Sequence, residues 1–170
     1  MPTIKLDKGL LPILFTVLLM GIGMSFITPL IPLIIKGTGS SLTSIGQIGS
    51  TYFLFFTITT HFWGKQVDKI GCKKVMLIGI LAYSVSVIFI PYVKTAIAFY
   101  IIRAIQGIST SSLFVGTESA INILSAPENR AKNAGYYALA FGVGFAGGPA
   151  IGATLYAINN SFPFLGSKSP

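Results

Sequence analysis

The chain has 170 residues, 52% of them hydrophobic and only 9% charged, with a mean hydropathy of +0.77 and a net charge of +8 from 12 Lys and Arg against 4 Asp and Glu. A soluble domain of this size carries about 25% charge, so the composition excludes a small water-exposed globule and makes the bilayer the natural solvent. One cysteine and one histidine exclude an internal disulfide and a thiolate metal cluster, and the sequence holds no nucleophile beside a base and no phosphate-binding loop, so no metal, no cofactor and no enzyme activity are expected.

Five apolar runs follow in order, each near or above the roughly 20 residues that cross the hydrocarbon. Only helices, or a closed barrel, satisfy every backbone group in lipid, and runs this long are too long for strands. The expected fold is therefore all-α and integral to the membrane, a multi-pass bundle of about five transmembrane helices. The first run covers about residues 9–35. Lys5 and Lys8 precede it, but it exceeds a signal peptide's 7–15-residue apolar region and lacks a small-residue cleavage pattern, so it is read as a retained helix. Pro29 and Pro32, in "TPLIPLII", mark a kink or a loosened end. The second run, about 45–63, ends with His61 and Trp63, the latter expected at the membrane interface as aromatic residues commonly are.

Next comes "GKQVDKIGCKK" at 64–74, where five of eleven positions are charged, and it is expected to form a short loop. The third run is about 75–92 and the fourth about 96–124. The fourth carries Arg103, Gln106, Thr110, Thr117 and Glu118. Offsets of 3, 7, 14 and 15 from Arg103 place these residues on one stripe of a helix. A charge inside a span faces a partner or a watery cavity, so Arg103 is a candidate cavity residue and Glu118 a gate or proton carrier. Arg103 and Glu118 stand about 22 Å apart along the axis and do not pair with each other. The fifth run, about 133–158, has Gly144, Gly148 and Gly152 at intervals of four with Pro149 after the second, a small-residue face for close helix packing and a site where a helix can bend.

The cations orient the bundle. With the N-terminus in the cytoplasm, that side holds Lys5, Lys8, Lys65, Lys69, Lys73, Lys74, Arg130 and Lys132, and the far side only Lys36, Lys94 and Lys168. This positive-inside bias, with the cations dispersed between apolar runs, speaks for membrane topology and against nucleic-acid binding.

Three ordered motifs resemble the major facilitator superfamily of secondary transporters. The first is Gly64, Asp68, Gly71, Lys73 and Lys74 between spans two and three. The second is "RAIQG" at 103–107, ending at Gly107. The third is "GVGFAGGPAIGA" at 142–153, similar to the family's antiporter-associated G-x-x-x-G-P-x-x-G-[GA]. "TPLIPL" and "PENRAKNAGYY" at 127–137 add to the likeness, which extends to about residue 165. The resemblance implies two six-helix halves around a central path, of which residues 1–165 would be the N-terminal one. It implies transport of a small solute at the cell membrane, with proton-coupled efflux or antiport as the leading expectation and uptake by symport as an alternative. It further implies that Asp68 and Glu118 join a breakable latch on the inward face. Cys72 stands where the family usually has Arg, which implies a weaker latch.

Five spans are fewer than the roughly twelve the family implies. "SFPFL" at 161–165 looks like the start of a sixth span, and residues 166–170, "GSKSP", form an atypical tail. A truncated or split product lacking transport alone, or one completed by a C-terminal half or partner chain, is therefore a further expectation.

Overall fold

A computed structural model describes residues 9–27, 42–93 and 95–158. Five helices run through them: α1 (Leu10–Ile27), α2 (Leu42–Ile70), α3 (Cys72–Phe89), α4 (Ala96–Leu124) and α5 (Arg130–Ile158). Short 3-10 turns at Ile90–Tyr92 and Pro127–Asn129 join α3 to α4 and α4 to α5. There is no strand among the described residues, and the class is the all-α one expected. Pro29, Pro32, Lys94 and the tail from "SFPFL" onward lie outside them.

The stretch 64–74 is not the loop expected from its charges. α2 continues through it to Ile70, α3 begins at Cys72, and Gly71 alone separates the two helices. Apolar Val67 and Ile70 stand one turn apart and pack against Trp63 and Val75, so the segment is an amphipathic helix end. Asp68, Lys65, Lys69, Lys73 and Lys74 all point outward. Gly71 has φ 85° and ψ 154°, a positive-φ backbone that glycine adopts readily and that strains a residue with a Cβ. Its N–H still bonds the Val67 carbonyl at 2.9 Å. Cys72 tucks against the same apolar cluster, away from the lysines.

Trp63 is buried among Val67 and Val75, and its indole N–H donates to the Ile108 carbonyl of α4 at 3.0 Å. A buried indole needs an acceptor, and a neighbouring helix supplies it.

α4 is the central helix. α2 packs on one side of it and α3 on another, while α1 and α5 pack chiefly on each other. Glycines set each contact. At Gly107 a side chain would run into the Tyr52 and Phe56 backbone of α2, at Gly79 into Ser109 and Ser112 of α4, and at Gly116 into Met76 of α3. On the other side Gly21 meets Phe141, while Gly144 and Gly148 meet the backbone of Leu18 and Ile22. Helices come this close only where Cβ atoms are missing.

Burial is reversed relative to a water-soluble protein. Ser109, Thr110, Ser111, Ser112 and Thr117 are among the most buried residues, while Leu81, Val85 and Ile88 of α3 and Leu139 and Val143 of α5 are exposed. Exposed apolar faces of this extent mark contact with lipid or with other helices. α3 and α4 are long and apolar enough, by length and composition alone, to cross a bilayer, and Leu10–Phe26 is a shorter apolar helix. α2 and α5 have 29 residues each, about 44 Å, and carry charges at one end.

Candidate functional site

Arg103 sits on α4, seven residues from its start at Ala96. It is half-buried and lines a cavity of about 290 Å³ to which all five helices contribute. Its Nη1 donates to Gln106 Oε1 at 3.0 Å, and its guanidinium stands 5.2 Å from the centre of the Tyr52 ring on α2. A guanidinium over an aromatic face is attracted by the ring's quadrupole, more strongly where water is excluded. Tyr83 brings α3 to the cavity, and its hydroxyl donates to the Gly23 carbonyl of α1 at 3.4 Å, next to Met24 on the cavity wall.

The rest of the wall is aromatic. Tyr52 stacks on Phe56 at 6.3 Å between centroids, Phe56 meets Phe114 edge-on at 5.5 Å, and Phe114 meets Phe141 at 5.1 Å. Phe141 continues to Phe145 at 5.7 Å, so one chain of rings runs from α2 across α4 to α5. Edge-on and offset pairs each add about 0.5–1.5 kcal/mol beyond the area buried. These rings were not singled out from the sequence. The available signal was the pairing of aromatics four apart, Tyr52 with Phe56 and Phe141 with Phe145, which puts each pair on one helix face.

The sequence-predicted stripe on α4 divides. Gln106 is buried beside Arg103, Thr110 is buried two turns further on, next to Tyr52, and Gly107 is the contact point with α2. Thr117 is also buried, with its hydroxyl on the Leu113 carbonyl at 2.7 Å and 3.4 Å from the Tyr137 hydroxyl of α5. Glu118 turns outward and is exposed. Ser111 and Ser112 were not picked out, yet they carry contacts between helices: Ser111 with Thr59 of α2 at 2.6 Å, and Ser112 to the Val75 carbonyl of α3 at 2.6 Å. α4 is polar on several sides because it has neighbours on several sides.

The other predicted residues lie elsewhere. Gly64, Asp68, Gly71, Lys73 and Lys74 lie along the α2–α3 elbow, at the far end of α2 from Gln47 and Tyr100. Gly144, Gly148 and Gly152 form a single face of α5 against Leu18, Ile22, Ser25 and Phe26 of α1. The helix runs unbroken through Pro149, which is exposed. No group of His, Cys, Asp and Glu that could hold a metal occurs among the described residues.

The family model described as Major Facilitator Superfamily matches residues 13–166, almost the whole chain. The chain belongs to the Major Facilitator Superfamily. This is a family of membrane transporters, and such a chain is a cell-membrane protein. Similar members include the "Quinolone resistance protein NorA" of Staphylococcus aureus, 26% identical over 159 residues, which are 94% of this chain and 41% of that protein. The "Multidrug resistance protein 1" of Bacillus subtilis (strain 168) is 30% identical over 144 residues, 85% of this chain and 37% of that protein. The chain thus spans about two fifths of the curated relatives it matches. In this member of the superfamily, Arg103 and the aromatic rings meet where the five helices converge.

Proposed function

We propose that this superfamily chain forms the N-terminal, substrate-binding part of a secondary transporter that exports aromatic compounds in exchange for protons. One observation carries the reading: a cavity built jointly by α1 to α5 has a guanidinium in a wall of aromatic rings. Apolar walls with a few placed polar groups suit an amphipathic small molecule. The relatives named for quinolone and multidrug resistance support export, and the glycine–proline motif of α5 supports exchange.

In this reading the N-terminus and the lysine-rich end of the bundle lie in the cytoplasm. A second set of helices, from a C-terminal half or a partner chain, completes the path. The outward-pointing Asp68 and Glu118 then serve as contacts for that second set. An ion-pair latch there holds one conformation and breaks in the other, a two-state element that alternating access requires.

The test uses the full-length protein in proteoliposomes, with movement of a quinolone followed under an imposed pH gradient. Gradient-driven movement is expected for the parent, and its loss in Arg103→Ala with membrane insertion intact. Transport unchanged in Arg103→Ala overturns the cavity reading. Movement indifferent to the gradient overturns proton exchange.

A further inference from the structure

Four buried side-chain atoms among the described residues have no hydrogen-bond partner: Arg103 Nε, Gln106 Nε2, the Tyr52 hydroxyl and the Thr110 hydroxyl. The four residues form one patch where α2 meets α4. Tyr52 and Thr110 are adjacent, but their hydroxyls do not reach hydrogen-bond geometry.

The patch is one-sided in its chemistry. A guanidinium can only donate, so Gln106 must turn its oxygen toward Arg103. That fixes the amide and leaves its NH₂ pointing away, in a residue 1% exposed. Arg103 Nε and Gln106 Nε2 are donors only, and both hydroxyls can donate. All four unpartnered groups therefore accommodate an acceptor, and two accept nothing else.

Charge points the same way. The carboxylates among the described residues are Asp68, Glu118 and Glu128, all exposed. Glu118, on the same helix as Arg103, is about 22 Å away along the axis. Arg103 thus holds a half-buried positive charge with an aromatic ring and an amide as neighbours, and no carboxylate among the described residues. A buried charge left so is expensive, and a planar anion meeting the guanidinium fork offsets the expense.

We propose that Arg103, on the cavity wall beside Tyr52, recognises a carboxylate, so that the ligand of this cavity is an aromatic acid. The carboxylate sits on Arg103 at the cavity wall, and the ligand's rings lie along Tyr52, Phe56 and Phe114. Gln106 is a positioning residue that holds the guanidinium from behind. A cationic ligand meets like charge, and a neutral one brings no charge to offset that of Arg103. This rests on reading the cavity as the substrate site.

The test is calorimetric binding of three matched probes to the full-length protein in lipid nanodiscs: 2-naphthoate, 2-naphthalenemethanol and 2-naphthylmethylammonium. Naphthoate is expected to bind about tenfold to a hundredfold more tightly than the alcohol, with the ammonium weakest, as hydrogen bonds to a charged group imply. Gln106→Glu gives Arg103 a carboxylate of its own at nearly the same shape. The naphthoate-to-alcohol ratio is expected to fall about tenfold or more in that variant. Alcohol or ammonium binding as tightly as naphthoate in the parent overturns the carboxylate site and leaves the transport reading standing. A ratio that persists in Gln106→Glu also overturns it, because Arg103 would then not be the anion's partner. If none of the three binds, the aromatic-cavity reading falls together with this one.

Discussion

The two helix assemblies of this chain are joined by different means. α1 and α5 meet along Gly21, Gly144 and Gly148, each lying against the other helix with no room for a side chain, and along Gly152, which packs closely on Phe26. α4 meets α2 and α3 through glycines as well, but adds side-chain hydrogen bonds: Trp63 to Ile108, Thr59 with Ser111, and Ser112 to Val75. Ser25, the hydroxyl nearest Gly148, bonds back to the Gly21 carbonyl of its own helix at 2.9 Å. Among the described residues the seam of α1 and α5 therefore rests mainly on shape, and the block around α4 on shape plus fixed polar partners. In lipid, where apolar association between helices lacks the drive it has in water, the second arrangement is the more specific in register. The cavity with Arg103 lies between the two assemblies, with one wall from each.

The largest effect expected is steric and falls on the seam. Gly144→Val forces α1 and α5 apart because the new side chain meets the Leu18 backbone, which cannot turn aside as a side chain can. Overpacking of this kind costs about 1–3 kcal/mol. Gly142→Val is the internal control. It lies two residues away on the same helix, in open space, and is expected to change stability by less than about 0.5 kcal/mol. Thermal melting in detergent reads the difference. Equal melting temperatures for the two variants would remove the seam as a shape-determined contact.

A smaller effect is expected in the block. Trp63→Phe keeps an aromatic ring in the cluster with Val67 and Val75 but removes the donor to Ile108. The Ile108 carbonyl keeps the Ser111 hydroxyl at 2.9 Å, so it is not abandoned. A loss of about 1 kcal/mol is expected, measured by the same melts. A loss as large as that of Gly144→Val would mean that Trp63 acts mainly through packing volume.

How much of this was legible in the sequence follows from what stands out against an apolar background. Arg103 was visible because a charge inside a span is costly and therefore rare. Gly144, Gly148 and Gly152 were visible through even spacing, whereas Gly21, Gly79, Gly107 and Gly116 meet partners on other helices and share no repeat. The aromatic wall stayed hidden for the same reason. Phe56, Phe114 and Phe141 belong to three helices, and within any single apolar run a phenylalanine reads equally well as facing lipid. The charges of 64–74 suggested a loop, but two apolar residues a turn apart, Val67 and Ile70, carried the helix on to Gly71. Trp63 was placed at the interface from composition, and its acceptor 45 residues away could be found only in three dimensions.

The smallest effect bears most directly on what separates the two assemblies. Thr59 and Ser111 touch at 2.6 Å, yet each also has a carbonyl in its own helix: Phe55 for Thr59 at 2.6 Å and Ile108 for Ser111 at 2.9 Å. Removing either hydroxyl therefore leaves the other with a partner, and the single losses should be slight. The contact between helices is isolated by a double-mutant cycle of Thr59→Val, Ser111→Ala and the pair, which subtracts each side chain's dealings with its own helix. Hydrogen bonds between membrane helices measured this way average about 0.6 kcal/mol, and that coupling is expected here. A coupling near zero would mean that the two hydroxyls merely fill the space Gly107 opens between α2 and α4. That contact would then act as the seam does, through shape, and the block's polar links would be Trp63 to Ile108 and Ser112 to Val75.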